Sequence, residues 1–223
     1  NINHEEFVAA INKHVPLNGS KVLHPSWDDE YESLPQKSEV IIERPKREKA
    51  VIVYGCKFPL YVDERTSQTR QFLKYLLTSG HASILWNEIR EKRGLAYAVS
   101  GGVSGEYPLG NYFYVAVETL PQRIEEVRDL VYKFVHSPLK NGEDMETIRE
   151  YLFDWSSLGY DDPQNWADLM QGRIKRNISP KIAERYFEKQ KKIISKLSLD
   201  EVESMRQTVL KPERFVTVIV KPV

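Results

Sequence analysis

What this sequence lacks narrows its possibilities first. Its 223 residues contain a single cysteine, Cys56. An internal disulfide and any multi-cysteine metal site are therefore excluded. Net charge is also missing: 32 Lys and Arg are balanced by 32 Asp and Glu. A nucleic-acid binder that works by neutralising phosphates would carry a basic excess, so that class falls away. Unbroken apolar stretches are only a few residues long, too short for a membrane-spanning helix. No signal peptide, internal repeat or low-complexity tract is visible. The chain opens Asn1-Ile2-Asn3 rather than with Met, and is read as a processed product or an excised piece. The compartment is left open, with a soluble, cytoplasmic protein slightly favoured.

What remains is ample core material. The hydrophobic fraction is 41%, with 4 Trp and 12 Tyr, which rules out wholesale disorder. Asn3 with Glu6 reads as a capped start to a helix over 4–14. Residues 15–37 hold Pro16, Gly19, Pro25 and Pro35 and read as a connection anchored by Trp27 and Tyr31. Strands are expected at 38–44, 49–57, 95–105, 110–119 and 215–221. The second is apolar on both faces, as a central strand would be. Helices are expected at 63–78, 82–93, 143–158, 163–176, 180–196 and 199–210, with another beginning at Pro121. Gly94 is a natural stop for the second of these. Strands come in pairs and helices in runs. The fold class is α+β, a two-layer sandwich with a mixed or antiparallel sheet covered by helices on one face.

Much familiar chemistry is absent as well. The five histidines, His4, His14, His24, His81 and His136, never fall three or four residues apart. No helical pair can grip a metal, and neither H-E-x-x-H nor H-x-x-E-H occurs. Gly101-Gly102-Val103-Ser104-Gly105 is not spaced as a nucleophile elbow and reads as a twisted, bulged strand. Asn18-Gly19-Ser20 and Asn177-Ile178-Ser179 match the glycosylation acceptor pattern, which is frequent by chance. One segment stands apart: Leu85 to Val99, LWNEIREKRGLAYAV. Arg90 falls in a last helical turn, Gly94 reverses the chain, and Tyr97 enters the next strand on the face of Leu95 and Val99. A guanidinium and a phenol at one junction are two hydrogen-bond donors suited to a peptide carbonyl. The bland alternative is an Arg that complements the helix dipole and stacks on Trp86, beside a core Tyr.

That segment resembles the signature of the C-terminal half-domains of the pitrilysin/insulinase zinc peptidases, the inverzincins. VIIERPKREKAVIVYGC resembles the strands that open such domains. GNYFYVAVETLPQRIEEVRDLVYKFV resembles the following strand and long helix, and LSLDEVESMRQTVLKPERFVTVIVKP the terminal helix and strand. The opening NINHEEFVAAINKH resembles a helix that follows a first strand, which is absent here. The resemblance spans nearly the whole chain.

It implies one α+β domain over residues 1–223, the C-terminal half of a longer peptidase. In this family the N-terminal half holds the H-x-x-E-H zinc site, and the C-terminal half contributes an Arg and a Tyr seven positions apart. Arg90 and Tyr97 keep that spacing and are the implied substrate-binding residues. The resemblance assigns this chain no catalytic residue, no metal ligand and no cofactor; zinc belongs to the partner half. The implied partners are that zinc-binding half, fused or separate, and an extended peptide. This chain alone should not hydrolyse peptides. The alternative is a scaffold subunit that kept the fold and lost catalysis. The chain departs from processing-peptidase regulatory subunits in having only Thr78–Ala82 where they carry a long glycine-rich loop.

Overall fold

A computed structural model describes residues 38–58, 63–106, 110–139, 142–158, 162–175 and 186–223, and residues 3, 5, 6 and 9 near the start. Residues 5, 6 and 9 are helical, and Asn3 accepts from the Glu5 N–H at 2.9 Å, as a capped helix start requires. The rest of the expected 4–14 helix, the 15–37 connection with Trp27 and Tyr31, and both glycosylation patterns lie outside the described residues.

Five strands form one sheet: β1 (Ser38–Arg44), β2 (Ala50–Phe58), β3 (Ala96–Glu106), β4 (Gly110–Thr119) and β5 (Val216–Pro222). Their order is β1-β5-β2-β4-β3. β5 runs parallel to β1 and antiparallel to β2, so the sheet is mixed. β1 and β2 follow each other in sequence yet do not pair. The residues between them need only cross two strand spacings, about 10 Å, and β5 fills the slot they leave open. Lys46 in that connection takes the left-handed conformation, φ 67°. β2 is internal, as its two-sided apolar pattern indicates.

The helical layer contains α1 (Glu64–Thr78), α2 (Ile124–His136), α3 (Gly142–Leu158), α4 (Pro163–Lys175), α5 (Tyr186–Ile194) and α6 (Leu199–Val209). Asp63 caps α1 through the Thr66 N–H at 2.9 Å. Ser198 and Glu201 close a reciprocal capping box on α6, as their spacing predicts. Alternate strand residues Ile52, Tyr54, Phe113, Val115, Val117 and Ile219 are buried against Phe72, Leu73, Leu76, Leu77, Val127 and Val131 of the helices. That burial drives the two layers together. Val51, Val53, Ala116, Val216 and Val218, on the opposite sheet face, stay half-buried. No helix among the described residues is long and apolar enough to cross a membrane.

The glycine-rich stretch of β3 has a different basis from the expected bulge. Its register against β4 runs unbroken from Ala98 to Glu106. A Cβ on Gly101 would lie 2.5 Å from the Thr78 side chain, and one on Gly102 would lie 2.8 Å from the Tyr114 ring. The glycines permit close approach on both faces of the strand.

Candidate functional site

The site forms where a short helix runs into β3. Ile84 and Leu85 begin as α-helix, and Trp86–Glu91 continues as a wider π-helical turn. The Lys92 N–H reaches back five residues to the Asn87 carbonyl at 2.9 Å. A regular α-helix was the expectation from 82 to 93. The π register inserts a residue and turns the following side chains, a feature that recurs at functional sites. Leu85 and Ile89, both fully buried, anchor the turn. Gly94 adopts φ 62°, and the Leu95 N–H closes on the Ile89 carbonyl at 3.0 Å, which ends the helix.

Arg90 lies in the last turn, half-buried. Its guanidinium carbon sits 4.0 Å over the Trp86 ring. The Trp86 indole donates to Glu91 Oε1 at 2.8 Å and is met edge-on by His81 at 4.6 Å. Glu88, one turn away, is taken by Lys92 at 2.5 Å and by Arg93 at 2.7 Å. Those cations hold its carboxyl below the usual carboxylate range. Among the described residues, no carboxylate pairs with Arg90 and none of its guanidinium N–H groups is hydrogen-bonded to protein.

Tyr97 is 50% exposed and does not share the buried face of Leu95 and Val99. The reason is a β-bulge. Ala96 pairs with Thr119 and Ala98 with Glu118, so Tyr97 is an extra residue with no partner opposite. A bulge re-aims its side chain out of the alternation. Sequence spacing alone does not reveal it. Lys49, which the sequence reading passed over, places its ammonium 4.0 Å over the Tyr97 ring and 2.6 Å from Glu118 Oε1. The Glu118 hydrogen bond raises the Lys49 pKa. Arg90 and Tyr97 do not hydrogen-bond to each other. Each is instead held by a cation–ring contact, with its donors left over.

The arrangement can present hydrogen-bond donors to a polar backbone. It offers no nucleophile paired with a base. Among the described residues no three His, Cys, Asp or Glu side chains gather to hold a metal. Cys56 is buried on the inner face of β2, where desolvation pushes its thiol up to about 12, so it is inert.

The fold is shared with solved peptidases. The peptidase M16 inactive domain from Pseudomonas fluorescens matches at TM-score 0.68 and 20% identity, covering 85% of this chain and 45% of that one. A protease from Helicobacter pylori matches at TM-score 0.76 and 14% identity, covering 100% of this chain and 53% of that one. The periplasmic protease PqqL from Escherichia coli matches at TM-score 0.65 and 15% identity, covering 100% of this chain and 24% of that one. The chain thus spans about half or less of these proteins. No curated protein sequence matches it. A family model described as "Peptidase M16 inactive domain" matches residues 1–153, a stretch that includes the whole junction from Trp86 to Tyr97. The chain therefore belongs to the peptidase M16 family, as one of its inactive domains.

Proposed function

We propose that residues 1–223 form a single α+β domain, the non-zinc-binding half of a zinc-dependent peptidase, and that it clamps an extended peptide through Arg90 and Tyr97. In this reading the Arg90 N–H groups and the Tyr97 hydroxyl donate to backbone carbonyls of the peptide. A partner half of the same family supplies zinc and performs the hydrolysis. The residues described here do not fit a zinc ion, so no catalytic step is assigned to this chain.

One observation carries the proposal. A structural strand Tyr is normally buried, and a structural Arg at a helix end either pairs with a carboxylate or complements the helix dipole while stacked on a ring. Arg90 has no carboxylate partner among the described residues, and Tyr97 is half exposed on a bulge. Stacking on Trp86 in a last helical turn is also what a purely structural Arg90 would show, so the exposed, bulged Tyr97 is what favours the clamp over the scaffold alternative.

The test is turnover of extended peptides by the complete peptidase. Tyr97→Phe removes one donor and keeps the ring. It should lower turnover by ~10²–10³-fold, the usual cost of an oxyanion-type donor. Arg90→Ala should act in the same direction. Stability should change by no more than about 1 kcal/mol in either variant. Unchanged turnover for both, in protein shown to be folded, would remove the assignment. The isolated chain should show no hydrolysis.

A further inference from the structure

We infer that Lys49 is a positioning residue for Tyr97, tied in place by Glu118, so that substrate binding depends on a side chain outside the Leu85–Val99 segment. This rests on the reading of Tyr97 as a substrate-binding residue.

An exposed strand residue normally has its ring direction set by the residue opposite and its same-face neighbours. Tyr97 lacks an opposite partner, because β4 passes from Thr119, facing Ala96, to Glu118, facing Ala98. Half of its surface is open. Left alone, such a ring samples several rotamers, and ordering it on binding would oppose binding.

Three strands converge to prevent this. Thr119 of β4 pairs with Ala50 of β2 on one side and with Ala96 of β3 on the other. Lys49 directly precedes Ala50, so its side chain starts on the far side of β4 from Tyr97. Glu118 lies on the strand between them. Its carboxylate holds the ammonium at 2.6 Å, and the same ammonium lies 4.0 Å from the Tyr97 ring centroid. The salt bridge therefore fixes a cation above a ring that the sheet ladder does not orient. Thr119 Oγ1 also donates to the Leu95 carbonyl at 2.5 Å, which pins the backbone just before the bulge. The Lys49–Glu118 pair is surface-exposed, and exposed pairs contribute little stability. A role in positioning is thus separable from a role in folding.

The experiment is a mutant cycle in the complete peptidase, with kcat and KM measured on an extended peptide and Kd on a non-hydrolysable one. Lys49→Met should lower kcat/KM or peptide affinity by ~10-fold, a modest share of the effect of misplacing a binding group. Lys49→Arg should restore most of it, since a guanidinium can both pair with Glu118 and lie over the ring. Glu118→Gln, which loosens the cation, should fall between. On a Tyr97→Phe background Lys49→Met should add nothing, because the hydroxyl it positions is gone. The melting temperature should hardly move in the Lys49 and Glu118 variants. Three outcomes overturn the inference. A silent Lys49→Met beside an impaired Tyr97→Phe removes Lys49 and leaves Tyr97 standing. An equal loss on both backgrounds shows that Lys49 acts independently of Tyr97. A silent Tyr97→Phe removes Tyr97 from the site and this inference with it, while Arg90→Ala decides what remains of the clamp.

Discussion

Arg90 and Arg206 are both arginines near helix ends, and the protein uses them in opposite ways. Arg206, on α6, is 5% exposed and fully engaged. Its Nε and Nη2 grip Glu203 at 2.8 and 2.6 Å, and its Nη1 donates to the His136 carbonyl at 3.0 Å. Glu203 in turn accepts from the Leu139 N–H at 3.1 Å and from the Gln207 amide at 2.7 Å. The pair satisfies the otherwise orphaned end of α2 and joins it to α6. Arg90 has the Trp86 face and no carboxylate among the described residues. The contrast separates an arginine that completes the fold from one whose guanidinium donors have no hydrogen-bond partner among the described residues. Both have the same chemistry, and only their surroundings distinguish them.

The largest effect that would break this comparison is on stability. Arg206→Ala leaves Glu203 without its bidentate partner and the end of α2 without a donor. Removing one member of a buried pair costs about 3–5 kcal/mol. Calorimetry should register a fall in melting temperature of roughly 6–20 °C. Arg90→Ala should shift it by only a few degrees. Equal shifts in the two variants would abolish the distinction.

Acid provides the next test, because the end of α2 holds two groups with displaced ionisation. His136 is hydrogen-bonded to the Tyr54 hydroxyl at 2.8 Å, and its other ring nitrogen is buried beside the Leu210 backbone, which only partly offsets the cost of charging it. Burial, reinforced by the positive charge of Arg206, pulls the imidazole down to about 4 from 6.5. The unfolded chain thus binds this proton first as pH falls. Stability is full above pH 6.5 and is lost as pH drops toward about 4. Arg206 holds Glu203 at about 2, below its ordinary 4.5, so a second loss follows as pH falls through that window. Melting temperature should be flat above neutrality and decline in both windows. His136→Gln should flatten the first and leave the second. If the proposed clamp through Arg90 and Tyr97 holds, peptide affinity should not follow the first decline while the protein stays folded.

The smallest expected effect sharpens the other side. Trp86→Leu removes the ring beneath the Arg90 guanidinium but keeps the charge. Turnover should fall by several-fold, less than in Arg90→Ala, since an exposed cation–ring contact contributes only about 0.5–1 kcal/mol. A loss as large as that of Arg90→Ala would mean that the indole itself meets the peptide.

Most of the strands and helices, and the faces the helices bury, are legible in local sequence patterns. Phe72, Leu73, Leu76 and Leu77 on α1 and Val127, Val131 and Val135 on α2 recur at helical spacing, and all are buried. Ser198 with Glu201 marks the start of α6, and Gly94 the end of the turn that carries Arg90. These are local signals, because caps and periodic faces depend on residues within a turn or two. Arg90 and Tyr97 were singled out by spacing and by family resemblance. Their environment was not, because it depends on contacts between distant parts of the chain. Long-range packing set β5 between β1 and β2 and made the turn beneath Arg90 π-helical. It alone decided that a bulge turns Tyr97 outward and that Lys49 reaches it across β4. Strand order and bulges follow from how distant segments share hydrogen bonds and volume. A residue's neighbours in sequence carry little record of that choice.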